Sequence, residues 1–356
     1  MKIVHGFEGN GSLGGEWLRG SGPDADIVIS SRIRLARNLR GHRFGVQADS
    51  DERAGIEEEV RSGLGRTSFP EDMLYAPLSE TPALDAEVLV ERHLISKELA
   101  RAEGPRGACY APSENVSVMV CEEDHLRIQV LRSGLQLETA WEAIDGIDSR
   151  ISKHLDYAFS SRYGYLTCCP TNVGTGMRAS VMLHLPALVY TKHIEKVFQA
   201  GAKMSLAVRG LYGEGTQPSS DFFQISNQVC LGVAENDVVD RLQRVVPQFI
   251  QYERKVREAL LESDRAALED KCWRAYAALR AARTLTSEDT LEMLSAVRLG
   301  VNLKILPPRV TIETVNELFI ISQPAHLQRL STGVLEPKAR DVARATLVRN
   351  RLGAIE

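Results

Sequence analysis

Residues 24–40 read DADIVISSRIRLARNLR. The first half is an apolar run with strand character, and along a strand alternate side chains share a face. Arg32 and Arg34 therefore stand side by side on one face of a sheet. Two neighbouring guanidinium groups repel each other unless an anion lies between them. The chain thus has to build a sheet and to meet that positive charge. The formal net charge of −4 argues against a general nucleic-acid binder, so the arginine cluster is a local device rather than part of a basic surface.

The 356 residues suffice for one large or two medium domains with a well-buried core. The six cysteines show no zinc-ligand spacing, and no HExxH-type pair points to a metal site, so no protein metal ligands are expected. Nothing reads as a signal peptide or a bilayer-spanning run. The expected setting is cytoplasmic, with reduced thiols and no membrane contact.

Strand-like runs cover 115–121, 126–131, 165–169, 203–211 and 221–228, and helical spacing covers 85–103, 136–158 and 186–201. The first 25 residues are Gly-rich and read as irregular. After residue 236 the pattern turns almost wholly helical. TSED (286–289) reads as a capping box, and a last helix is expected to start near Pro337. The reading is α+β for 1–236, followed by an all-α unit over 237–356.

Four further stretches carry chemistry. CEEDHLRIQ (121–129) packs three acids, a His and an Arg around an expected hairpin. CCPTNVGTGMRASVMLHLP (168–186) places cysteines before a Pro/Gly turn, with Arg178 where a helix could begin. VRGLYGEG (208–215) sets Arg209 at a strand end and Glu214 in a glycine-flanked loop. EPKARDVARA (336–345) opens the last helix. Each alone fits a solvated surface. Cys169 alone fits a buried filler, the GTG lacks the rest of a phosphate loop, and His125 and His184 read as packed, hydrogen-bonded side chains. Together, Arg32, Arg34, Arg127, Arg178 and Arg209 all fall at strand ends or in adjoining turns. Five arginines converging on one cleft suit a nucleoside triphosphate with Mg²⁺, because the planar guanidinium bonds two oxygens and keeps its charge.

The order SSRIRLARN, EEDHLR, CPTNVGTGMRASV and VRGLYGEG resembles the phosphagen kinases, which move the γ-phosphate of ATP onto a guanidinium. Within that family it is most similar to the bacterial protein-arginine kinases. The resemblance implies a phosphagen-kinase-like catalytic domain, an antiparallel sheet flanked by helices, and a helical C-terminal domain for dimerisation and phosphoarginine binding. It implies that Arg32, Arg34, Arg127, Arg178 and Arg209 bind ATP, and that Glu123 and Glu214 grip and deprotonate the acceptor guanidinium. Cys169 matches the cysteine beside that guanidinium, and Glu122 a residue near the Mg²⁺ water shell. The small kinases carry a His four residues after the Arg178 position. Met182 stands there, so their adenine contact does not transfer.

The chemistry explains the residue types. A guanidinium with a pKa above about 12 is a poor nucleophile. Two carboxylates on its edge can orient it and take its proton. A thiolate localises positive charge on its far side, and arginines with Mg²⁺ neutralise the transferring phosphoryl group. No phospho-enzyme is expected.

The resemblance favours a kinase of arginine side chains in proteins, which marks them for a Clp protease or inactivates a heat-shock repressor in a stress response. The alternatives are a kinase of free arginine or a related guanidino metabolite, and an inactive scaffold of the same fold. Creatine and arginine kinases carry a helical domain ahead of the SSRIRLARN stretch, which here sits near residue 30; this argues against a small, enclosed substrate. The implied partners are proteins with exposed arginines, a Clp ATPase, a zinc-finger adaptor and a second copy of the chain. By the same resemblance, RDVARA (340–345) matches an RDxxRA motif that binds phosphoarginine away from the active site through Arg340, Asp341 and Arg344.

Overall fold

The arginine-bearing strand lies inside a nine-stranded sheet. The computed structural model describes residues 1–8, 15–45, 47–210, 221–331 and 333–353. In chain order the strands are β1 (Lys2–Ile3), β2 (Val28–Arg37), β3 (Leu74–Pro77), β4 (Gly107–Tyr110), β5 (Val116–Val120), β6 (Leu126–Ser133), β7 (Phe159–Ser160), β8 (Gly164–Tyr165), β9 (Met177–His184), β10 (Leu206–Gly210) and β11 (Phe222–Asn227). The large sheet runs β1-β3-β4-β5-β6-β2-β9-β11-β10, and β7 and β8 form a separate hairpin. Every pairing is antiparallel except that of β1 with β3. The expected antiparallel sheet is thus mixed at one edge, because residues 2–3 run alongside β3.

The helices are α1 (Ser50–Arg66), α2 (Ala83–Glu91), α3 (Lys97–Arg101), α4 (Leu137–Ile151), α5 (Pro186–Tyr190), α6 (Ile194–Lys203), α7 (Glu235–Ser263), α8 (Arg265–Ala281), α9 (Ser287–Asn302), α10 (Ile312–Ile321), α11 (Pro324–Arg329) and α12 (Pro337–Leu352). Thr286 caps α9 through the amide of Asp289, and Pro337 opens α12, as the sequence signals require.

Several boundaries differ from the sequence pattern. The helix expected over 85–103 is two, α2 and α3, broken where His93 takes φ +59°. The 186–201 helix divides into α5 and α6 around Lys192, also at φ +59°. The strand expected over 165–169 keeps only Gly164–Tyr165. Arg178 opens no helix; it lies in β9. There Ala179, Val181 and Leu183 are fully buried while Arg178 and Met182 are half-exposed, a period of two that fills the slot between β2 and β11. The N-terminal segment is irregular only in part, since it holds β1 and a 3₁₀ turn over Glu16–Leu18, where Trp17 and Leu18 are buried.

β2 shows how the sheet separates its faces. Ile33 and Leu35 are fully buried in a core shared with α1, α4 and α7. Arg37, on the same side, is buried too. Its guanidinium meets Asp148 of α4 at 2.7 Å and stacks 3.5 Å over the Tyr165 ring. Arg40 is exposed and pairs with Asp156. Among the arginines of β2 itself, Arg32 and Arg34 face away from the core and Arg37 faces into it.

α7 starts close to where the sequence turns helical, but its Val238, Leu242, Val246 and Ile250 belong to the sheet's core. A second apolar cluster is built from α8, α9, α10 and α12 together with Trp17, Leu18, Ile29, Leu131 and Phe222. Arg298 of α9, fully buried, ties the two regions. It donates to the carbonyls of Ala25 and Asp26 and to Asn316 Oδ1, and approaches His184 Nδ1 at 3.0 Å.

Candidate active site

Strand register brings the arginines together. Arg34 of β2 is directly opposite Arg178 of β9, and Arg127 of β6 is opposite Ala36, two residues along from Arg34. On the far side, Met182 of β9 pairs with Gln224 of β11, which pairs with Arg209 of β10. Residues directly opposite, or two apart on one strand, share a face. Arg32, Arg34, Arg127, Arg178 and Arg209 therefore project from one face of the sheet, the face opposite Ile33 and Leu35.

The cluster is electrostatically frustrated. Arg32 donates to Gln224 Oε1 at 2.8 Å and Arg178 to Ser226 Oγ at 3.3 Å, both neutral acceptors. Arg34 has no hydrogen-bond or ion-pair partner among the described residues, and its Nε and that of Arg178 are buried without one. Burial, then repulsion from Arg127 and Arg178, pulls the Arg32 guanidinium down to about 10. Burial and Arg32, Arg127 and Arg178 also pull Arg34 well down, against the opposing pull of Glu122. A polyanion laid on this face would satisfy the orphaned donors and remove the repulsion.

The acids lie at one end of the row, in the turn between β5 and β6. Glu122 and Glu123 both hold Arg127, at 2.7 and 3.2 Å. Ser96 donates to Glu122 at 2.6 Å. Partial burial, with Asp124 next to it, raises the Glu123 carboxyl above the usual glutamate value, against the opposing pull of Arg127. Glu214 lies outside the described residues.

Two residues that the sequence reading did not single out build the frame. Asp124, fully buried, accepts from Asn38 Nδ2 and from the Cys168 amide, each at 2.7 Å. Asn38 Oδ1 accepts from the His125 amide. One carboxylate thus pins the end of β2, the acidic turn and the cysteine loop together. The sequence signal for it was a third acid beside Glu122 and Glu123. His125 is packed, as its isolation suggested: Nδ1 accepts from the Leu39 amide, and Nε2 lies 3.0 Å from the Arg43 carbonyl.

Cys169 caps a 3₁₀ turn over Pro170–Asn172, half-exposed, with Sγ 2.9 Å from Thr171 Oγ1. The loop closes through Gly174 and Gly176, at φ +115° and +63°. A Cβ on Gly174 would stand 2.2 Å from the Cys230 carbonyl, so the backbone approach there admits only glycine. Cys169→Ser is expected to fold normally and to turn over slowly. Thiol labelling of the wild type should map to Cys169 in preference to Cys168 and be blocked by bound substrates. Full activity of the Ser variant would make Cys169 a packing residue.

The RDVARA residues are divided. Arg344 is buried and spent on the carbonyls of Ser322 and Leu285 and on Asp341 Oδ1. Asp341 and Arg340 remain partly exposed. Arg340 lines a cavity of about 630 Å³ that Arg32, His93, Lys97 and Arg101 also line. Next to it, His93 and Met182 line a small apolar cleft with Trp17, Ile29 and Phe222. No cluster of three or more His, Cys, Asp or Glu able to hold a metal occurs among the described residues. Among the described residues no helix is long and apolar enough to cross a membrane.

Residues 55–256 match the family model of the ATP:guanido phosphotransferase C-terminal catalytic domain, and residues 265–356 that of the protein-arginine kinase McsB C-terminal domain. A protein-arginine kinase of Desulforamulus reducens is 44% identical over 346 residues, 96% of each chain. The protein-arginine kinase of Bacillus subtilis is 44% identical over 94% of this chain and 93% of its own. Among solved structures, a duplicated taurocyamine kinase of Schistosoma mansoni with bound transition-state analogue components superposes with TM-score 0.61. It is 30% identical and covers 70% of this chain and 36% of its own. A lombricine kinase superposes with TM-score 0.59, at 26% identity over 69% of both.

Proposed function

Since the chain belongs to the ATP:guanido phosphotransferase family, in its protein-arginine kinase branch, we propose that its row of arginines holds ATP and that Glu123 and Cys169 hold the acceptor. The protein is an ATP-dependent phosphotransferase that phosphorylates arginine side chains of proteins. The observation that carries the site assignment is Arg34, which has no partner among the described residues, in a like-charged row that ends at the acidic turn and the cysteine loop.

The row has a direction. From Arg32 to Ala36, opposite Arg127, β2 advances about 13 Å, a span suited to a triphosphate. We assign the nucleobase end to the side of Arg32, away from the acidic turn and the cysteine loop. The γ-phosphoryl end then lies toward Arg127, Glu123 and Cys169. Bound Mg²⁺ would supply further charge neutralisation on the phosphates, and Glu122 is the residue that would face its water shell. Glu123 orients the acceptor guanidinium and takes the proton released at the attacking nitrogen. Cys169 stabilises positive charge on the far side. Arg34, Arg178 and Arg127 neutralise the charge on the equatorial oxygens. Glu214 is assigned the second carboxylate role by resemblance alone.

The deciding experiment is mapping of the product on an unfolded protein incubated with MgATP. The expected product is phosphate on arginine nitrogen, lost in mild acid where phosphoserine persists. Acid-stable label, or label only on free arginine, would sink this reading.

The cellular role follows the branch. We assign substrates delivered to a Clp protease or a heat-shock repressor, a zinc-finger adaptor, a homodimer and a cytoplasmic setting. For RDVARA, Arg340 offers the charge for a phosphoarginine head and Asp341 the acceptor for its stem, while Arg344, being buried, holds Asp341 in place. Turnover with added phosphoarginine divided by turnover without it should exceed one in the wild type and fall to one in Asp341→Ala. An equal ratio in both would remove this helix as a sensor.

A further inference from the structure

The acceptor is one side chain of a polypeptide, so the residues flanking it have to lie on the rim of the catalytic cleft. An apolar surface lies at the far end of the cysteine loop. Phe159 and Leu231 are each 52% exposed, with Tyr163 at 44% and Val229 at 41%. Phe159, Tyr163 and Leu231 face a groove of about 240 Å³ between the β7–β8 hairpin and the segment before α7. Its floor is Gly174 and Thr175.

That floor is the far end of the loop that begins at Cys169. Gly174 exchanges both backbone hydrogen bonds with Tyr165, at 2.8 and 3.2 Å, and the Thr175 amide donates to the Cys230 carbonyl. The groove is therefore continuous with the catalytic loop and fixed to it through the backbone. Glu235 and Arg162 border it, one charge of each sign. Exposed aromatic and aliphatic side chains around a preformed groove are what a peptide-binding surface offers. Folded proteins bury such side chains, whereas an unfolded chain presents them beside its arginines.

We infer that this groove docks an extended, unfolded segment of the substrate polypeptide, taking an apolar or aromatic side chain that lies near the target arginine. The surface would select arginines in unfolded chain over arginines on folded surfaces. The inference rests on the reading that the acceptor is an arginine of a protein.

The test is steady-state phosphorylation of casein by the full chain carrying Phe159→Ser, Leu231→Ser, or both. These side chains are exposed, so the variants should melt like the wild type. The expected result for the double variant is a KM for casein about tenfold higher, with kcat within about twofold, the signature of lost binding that substrate and transition state share. An arginine-free peptide with aromatic residues should inhibit the wild type competitively and lose that effect in the double variant. An unchanged KM would overturn the proposal. So would a fall in kcat equal to the fall in kcat/KM, which would mean that the catalytic loop had been disturbed. A change in sedimentation of the double variant would overturn it in favour of a contact between copies of the chain. A wild type inert on casein but active on free arginine would instead refute the protein-kinase reading beneath it.

Discussion

Glu123→Gln should transfer phosphate about 10²- to 10⁴-fold more slowly than the wild type, the usual contribution of a general base. Its affinity for ATP should hardly change. The two outcomes separate because Glu123 sits at the end of the arginine row. Its contacts are to Arg127, which keeps Glu122 as a second partner at 2.7 Å. The amide preserves the shape and removes both the negative charge and the capacity to accept a proton. The pH profile supplies a second check. Glu123 has to be ionised to act, and partial burial with Asp124 beside it raises its carboxyl. Activity should therefore fall on acidification at a higher pH than an ordinary glutamate would give, and the Gln variant should lack that limb. If Glu123→Gln keeps more than about a tenth of the wild-type rate, the base lies elsewhere.

Arg34→Met should melt higher than the wild type when no nucleotide is present, and bind MgATP about 10- to 150-fold more weakly. Arg34 stands beside Arg32 and opposite Arg178, with no partner among the described residues. Burial and three neighbouring arginines disfavour its charge. Methionine keeps the apolar stem and removes the repelling head, so the empty protein gains. In the complex, the lost charge-assisted contact costs about 1.5–3 kcal/mol. Calorimetry with and without MgATP reads both terms. Nucleotide should raise the wild-type melting temperature by mass action and raise that of the variant much less. A variant that melts lower and binds ATP normally would make Arg34 a structural residue. The row would then be a surplus of charge that the fold tolerates for some other reason.

Much of the local structure was legible in the residues. Period-two spacing put Arg32 and Arg34 on one face, and that face does turn away from the core. Thr286 and Pro337 marked true helix starts. The four motifs, in their order, pointed to the family that the comparisons show. The alternation and capping signals are each carried by a few neighbouring residues, because both act between near neighbours in the chain.

What only the tertiary structure decided depends on who pairs with whom. Arg178 lies on a strand rather than at a helix start because β2 and β11 leave a slot that its apolar alternates fill. Its position opposite Arg34, 144 residues away in sequence, is a matter of register, which burial of one face selects. The carboxylate of Asp124, 44 residues from Cys168, joins the acidic turn to the cysteine loop. Arg344 looked like an anion ligand in sequence. It is spent on the carbonyls of Ser322, at the C-terminal end of α10, and of Leu285, since buried carbonyls need donors. Local sequence determined which side chains share a face and where helices begin. Long-range burial and the satisfaction of buried polar groups determined which of those faces meet.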